Sequence, residues 1–162
     1  ARSALGLLPG RERLVVSRTM SKAFAFAGAR VGYLAADPAL IDALRLVRLP
    51  YHLSALTQAA AVAALRHAPA MLAMVDEIVA QRDRISATLD ALGYEPFQSW
   101  TNFVLFGGVD DPAATWQGLY DQGVLIRDVG IAHRLRVTIG LPAENDVFLD
   151  VSKALTSDRK AP

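Results

Sequence analysis

The chain has 162 residues, 52% hydrophobic and 20% charged, which supports one ordinary domain or two small pieces and excludes a disordered polymer. Its formal net charge of +1 gives no electrostatic case for nucleic acid or a membrane surface as partner. It has no cysteine, hence no disulfide and no thiolate metal site, and no apolar run of about 18 residues that could span a bilayer.

The start carries no basic segment followed by an apolar core, so no signal peptide is read there, and a cytoplasmic setting is expected. The first residue is Ala1 and the first methionine, Met20, lies deep in a motif. The chain is therefore expected to be a piece of a longer protein.

Residues 1–12 form a polar lead-in with a turn signal at Pro9-Gly10. Leu14-Val15-Val16 predicts a short buried strand, and Val31 to Ala36 a second one. Residues 18–30 between them predict a loop with one helical turn after Lys22. Asp37-Pro38 is a helix start, since Asp caps free N–H groups and Pro fits the first turn. Leu40, Ile41, Leu44 and Val47 then recur at helical spacing. Pro50-Tyr51-His52 breaks that helix, and Ser54 caps an Ala-rich helix through Leu65. His67-Ala68-Pro69 marks a kink or a fresh start.

From Pro69 to Leu92, the residues Met71, Val75, Ile78, Ile85, Leu89 and Leu92 make one apolar stripe. Asp76, Glu77, Arg82, Asp83 and Arg84 are read as lying mostly off it. This predicts a long amphipathic helix, closed by Gly93. Strand-like segments follow at Tyr94–Phe97, Asn102–Phe106, Val124–Arg127 and Leu135–Ile139. In the last, Leu135, Val137 and Ile139 share one face while Arg136 and Thr138 share the other. Pro112–Gln122 and Pro142–Leu155 predict helices, and the polar tail from Thr156 is expected to fray. The fold class is α/β: the end of a sheet domain over 1–52, then a smaller α/β domain over 53–162 led by the long helix.

The chemistry gathers around Lys22. Thr19 and Ser21 place hydroxyls on the same loop, Gly28 lets backbone approach a ligand, and Arg30 offers a planar, permanent charge suited to phosphate. A ligand with both a phosphate and an amine-reactive carbonyl would use all four. Pyridoxal 5'-phosphate is such a ligand, because its aldehyde condenses with a lysine amine. The competing reading of the two hydroxyls is that they only cap the loop. His52, His67 and His133 have no metal-ligand spacing, so no metal is assigned. Trp100 and Trp116 are read as packing residues.

Ser21-Lys22-Ala23-Phe24 with Ala27-Gly28-Ala29-Arg30-Val31-Gly32-Tyr33 resembles the cofactor-lysine signature of the fold-type I pyridoxal-phosphate aminotransferases of class I/II. Leu49-Pro50-Tyr51, Asn102-Phe103-Val104-Leu105-Phe106, Leu125-Ile126-Arg127-Asp128 and Leu135-Arg136-Val137-Thr138-Ile139-Gly140 extend the likeness in the family's order. It runs from about Leu14 to Leu155 and matches only the C-terminal part of such an enzyme. Within the family, the resemblance is to the branch that acts on histidinol phosphate.

The resemblance implies a fold: the end of the large pyridoxal-phosphate-dependent transferase sheet domain, then the small C-terminal domain. It implies that Lys22 holds the cofactor and moves the substrate proton, while Thr19, Ser21 and Arg30 hold the cofactor phosphate. Arg136 resembles the arginine that grips the α-carboxylate of glutamate and would meet the phosphate of histidinol phosphate instead. Arg127 looks like a second arginine for that phosphate, against the alternative of an ion pair with Asp128 or another acid. Tyr51, read as reaching this active site or that of a partner subunit, and Asn102 are further candidates for substrate binding, with packing and turn-capping as their alternatives.

The implied partners are a small-molecule amino donor and a 2-oxoacid, in a homodimer. The acid for the pyridine nitrogen and the aromatic stacked on the ring lie upstream of the lysine in the family. The lead-in here has no suitable residue, so the chain alone is expected to be inactive. An aromatic amino-acid aminotransferase and a phosphothreonine decarboxylase of the same fold stay open. So does a domain piece that acts only in dimerisation.

Overall fold

The computed structural model of the chain describes residues 3–158. It divides into two compact units, residues 1–74 and 75–162.

In the first unit, a short 3-10 helix at Ala4–Leu7 precedes a two-stranded antiparallel ribbon. Its strands are β1, Val16–Thr19, and β2, Gly32–Ala35, paired Val16 to Ala35 and Thr19 to Gly32. Gly32 is required here: a Cβ on it would lie 2.5 Å from the Arg18 carbonyl oxygen. The ribbon corrects two expectations. The first strand begins late and runs on to Thr19, so the start of the lysine motif is strand rather than loop. Both strands are also largely exposed, with Ser17, Arg18, Tyr33 and Leu34 open to solvent. Strands rich in apolar residues become buried only when other elements cover their faces, and each of these pairs with the other alone among the described residues.

Two capped helices follow. In α1, Pro38–Val47, the Asp37 side chain accepts from the Ala39 N–H at 2.9 Å. In α2, Ala55–Arg66, the Ser54 hydroxyl accepts from the Thr57 N–H at 3.0 Å. His67 ends α2, and the long helix α3, Ala68–Ala91, starts directly after it. Gly93, at φ 88°, turns the chain out of α3 in a conformation that favours glycine.

The second unit holds a four-stranded antiparallel sheet. Its strands are β3, Glu95–Pro96; β4, Phe103–Gly107; β5, Arg127–Asp128; and β6, Leu135–Thr138. The spatial order is β3-β4-β6-β5. Helices α4, Pro112–Asp121, and α5, Pro142–Asp158, complete the unit. Val104, Phe106, Leu135 and Val137 point into one core with Ile85 and Leu89 of α3, Leu119 of α4, and Phe148 and Leu149 of α5. Tyr94 meets Phe106 edge to face at 5.4 Å between ring centres. Strand alternation then puts Phe103, Leu105, Arg136 and Thr138 on the opposite face, as the period of two predicts.

Four further expectations shift. The strand predicted at Val124–Arg127 reduces to Arg127–Asp128. The Val124 N–H instead closes the end of α4 on the Leu119 carbonyl, and Trp116 Nε1 donates to the Ile126 carbonyl, each at 2.9 Å. Arg82 lies on the buried stripe of α3, four residues after Ile78 and three before Ile85, and is only 7% exposed. Its guanidinium donates twice to Asp83, at 2.9 and 2.7 Å. Trp100, read as a packing residue, is 74% exposed. α5 runs through Thr156 to Asp158, and the rest of the tail expected to fray lies outside the described residues.

Candidate active site

The segment between β1 and β2 is held shut at its base. The Met20 N–H donates to the Val31 carbonyl at 3.1 Å, and the Phe26 N–H donates to the Met20 carbonyl at 3.2 Å. Met20 and Val31 are both buried beneath it. From this base Lys22 projects into solvent on a turn closed by the Ala25 N–H donating to the Lys22 carbonyl at 2.9 Å. Ala25 and Arg30 both have left-handed backbone, at φ 51° and 53°. Non-glycine residues adopt that conformation at a cost and concentrate at sites where it serves a function.

Thr19 and Ser21 are brought together. The Thr19 hydroxyl donates to Ser21 Oγ at 2.8 Å, and the Ser21 N–H donates back to Thr19 Oγ1 at 3.1 Å. The loop-capping role weighed for these hydroxyls is therefore real. It leaves the Ser21 hydroxyl proton directed to no protein acceptor among the described residues, so it can be given to an anion. One Arg30 guanidinium nitrogen, Nη1, donates to the Ala27 carbonyl at 2.9 Å, and its remaining N–H groups meet no acceptor among the described residues. An exposed amine, a free hydroxyl proton and an open guanidinium fork on one loop are the donor set that a phosphate-bearing aldehyde requires, and these residues fit it.

The second unit contributes an anion site of its own. β5 and β6 pair Arg127 directly with Arg136, and β4 pairs Leu105 with Arg136 from the other side. Residues paired across antiparallel strands share a face, so two arginines stand side by side on the sheet surface. Among the described residues neither has an acidic partner. The Asp128 carboxylate, the proposed rival for Arg127, accepts instead from the Gly130 N–H at 2.8 Å. Arg136 Nε is buried with no hydrogen-bond partner. The Arg136 guanidinium lies over the Phe103 ring, 4.8 Å from its centre. Like charges placed directly opposite cost stability, and an unpaired buried donor costs more, so the arrangement is suited to receiving an oxyanion.

The end of β6 is fixed by Asn145, which is 2% exposed. Its side chain accepts from the Gly140 N–H and donates to the Gly140 carbonyl, both at 3.0 Å, and donates to Gln81 at 3.2 Å. Asn102 is half-buried, and its carbonyl accepts from the Ile139 N–H at 2.9 Å. Tyr51 is 97% exposed with left-handed backbone, φ 56°. Sequence reasoning missed Phe103 and Asn145. Phe103 shares the parity of Leu105 on its strand, a signal that places it on the arginine face once the pairing of β4 with β6 is known. Among the described residues, no group of three or more His, Asp or Glu could hold a metal ion.

The family model for aminotransferase class I and II matches residues 2–151. A histidinol-phosphate aminotransferase of Paenarthrobacter aurescens is 61% identical over 160 residues, 99% of this chain and 43% of that protein. The chain spans about two fifths of the length of the curated relatives it matches. A crystal structure of histidinol-phosphate aminotransferase from Sinorhizobium meliloti in complex with pyridoxal-5'-phosphate aligns with a TM-score of 0.78 at 28% identity. The alignment covers 96% of this chain and 44% of that one. L-threonine-O-3-phosphate decarboxylase from Porphyromonas gingivalis aligns at 0.77 with 25% identity, over 94% of this chain and 49% of that one.

Proposed function

This chain belongs to the aminotransferase class I and II family, and on that premise we propose that it is the C-terminal part of an enzyme exchanging an amino group between histidinol phosphate and 2-oxoglutarate. The observation that carries the substrate class is the direct pairing of Arg127 with Arg136, uncompensated by any acid among the described residues. Two guanidinium forks side by side suit a phosphate, and one of them suits a carboxylate. A single site can thus take the phosphate of the donor in one half-reaction and a carboxylate of the 2-oxoacid in the other.

In this reading Lys22 is the cofactor lysine. Ser21 donates to the cofactor phosphate, Thr19 orients the Ser21 hydroxyl by donating to it, and Arg30 neutralises the phosphate. Pyridoxal phosphate, when bound, supplies the electron sink that weakens the C–H bond beside the substrate amine. The Lys22 amine, free and exposed on a braced loop, takes that proton from the substrate Cα and returns it. Arg136 and Arg127 hold the substrate by its oxyanion, and Asn102 borders that face. Tyr51, unengaged here, would serve the site of a second subunit in a homodimer. The domain division at residue 52, a cytoplasmic setting and the inactivity of this chain without the rest of the enzyme are parts of the same proposal.

The likeness to the threonine-phosphate decarboxylase favours one second reading, a decarboxylase of a phosphorylated amino acid. Offering the full-length protein histidinol phosphate, phenylalanine and phosphothreonine separates the readings. Amino transfer from histidinol phosphate to 2-oxoglutarate is the expected result. Transfer from phenylalanine alone, or release of carbon dioxide from phosphothreonine, would replace it.

A further inference from the structure

We infer that Phe103 is a positioning residue for Arg136, holding its guanidinium in place without cancelling its charge; the inference rests on the oxyanion-binding reading of Arg136. A buried or half-buried arginine is ordinarily held by a carboxylate, as Arg82 is held by Asp83 at 2.7 Å in this same unit. Arg136 is treated differently. Its Nε is buried without a partner, and what lies beneath the guanidinium is the face of Phe103, 4.8 Å from centre to centre.

The register explains how the ring arrives there. β4 pairs Leu105 with Arg136 and Phe103 with Thr138, so Phe103 lies diagonally across from Arg136 on the same face. Diagonal neighbours are within reach of aromatic and long side chains. Asn102, just before Phe103, ties β4 to the end of β6 through the Ile139 N–H, which fixes the spacing of the two strands at this point.

The choice of a ring has a chemical consequence. A carboxylate under Arg136 would occupy its fork and neutralise it, and an incoming anion would have to displace it. An aromatic face attracts the cation through its quadrupole, leaves the positive charge whole and leaves the fork edge open. Two oxyanions of different shape, a tetrahedral phosphate and a planar carboxylate, can then use the same fork in turn. Phe103 acts through the arginine and not on the ligand, so its loss should weaken both anions by the same factor.

The test uses the chain as it is, with inorganic phosphate and 2-oxoglutarate as probes. Binding is followed by NMR on the backbone amides of β5 and β6, which every variant retains, and the position of the ring by the Nε–H signal of Arg136, which Phe103 should displace from the usual arginine position. In Phe103→Leu that displacement should vanish, and affinity for both anions should fall equally, by about 3- to 10-fold. Phe103→Tyr keeps a ring and should keep both the displaced signal and the affinity, which guards against a merely misfolded Leu variant. Arg136→Gln is run beside them. If Arg136→Gln weakens binding and Phe103→Leu leaves it within about twofold of the parent, the positioning role is wrong and the arginine reading stands. A loss confined to one anion also overturns the positioning role. Unchanged binding in Arg136→Gln removes the arginine reading and this inference with it.

Discussion

Gly32 and the two arginines of the second unit are single residues whose environments make opposite demands. A Cβ at Gly32 would lie 2.5 Å from the Arg18 carbonyl oxygen, in a backbone pairing that cannot give way cheaply. Gly32→Ala is expected to destabilise the chain by about 1–3 kcal/mol. The fall would appear in the urea midpoint, and an unmoved midpoint would contradict the packing described. Arg127→Gln should act the other way. It removes one of two like charges placed directly opposite, so stability should rise by about 0.2–1 kcal/mol while phosphate affinity drops. A variant that loses stability as well would mean that Arg127 has a structural partner. Lys22 and Arg30 were marked as candidates by reactive or charged side chains gathered on one segment between apolar runs, and Arg136 by its resemblance to a family arginine. Phe103 was not, since a phenylalanine in an apolar strand carries no mark of what lies across from it. Arg82 was misplaced because a charged residue on a buried stripe reads as lying off it until its pairing with Asp83 is seen.

At the scale of elements, the helices were written locally and the strands were not. Asp37 and Ser54 each supply the acceptor that their helix start needs, at 2.9 and 3.0 Å. Replacing either by Ala should cost about 1 kcal/mol, with reduced helical ellipticity. The connection between α1 and α2 offers a contrasting case. Tyr51 sits in left-handed backbone at φ 56° with its side chain in solvent. Tyr51→Gly should therefore stabilise the chain by about 1 kcal/mol, read as a rise in melting temperature. A fall would show that the ring makes a contact worth more than the strain. Caps and helical period depend on residues a few positions apart, so sequence alone located α1, α2 and α3. The segment 124–126 looked like a strand by composition, but its backbone groups were claimed by Leu119 and Trp116. Which partner captures a strand is decided across the fold, and composition does not carry that information.

At the scale of the whole chain, the two units are built to different standards. The second has a core of fully buried residues drawn from α3, α4, α5 and the sheet, among them Ile85, Leu89, Val104, Leu119 and Leu135. In the first, the buried apolar residues among those described are Val16, Met20 and Val31, and α1 and α2 bury none. Hydrogen exchange should accordingly find the amides of β4 and β6 far slower than those of α1 and α2. Comparable protection in α2 would contradict that ranking. The α/β class and family were legible because the motifs keep their order along the chain, whereas the thin core of the first unit was not, since strings of apolar residues look alike whether covered or bare. The central claim is that Lys22 is the lysine that holds pyridoxal phosphate. Its most direct test is to load the full-length protein with the cofactor, reduce it with borohydride, and map the modified peptide by mass spectrometry. The account predicts the added mass on the peptide containing Lys22, absent in Lys22→Ala. Modification spread over several lysines, or unchanged by that substitution, would contradict it.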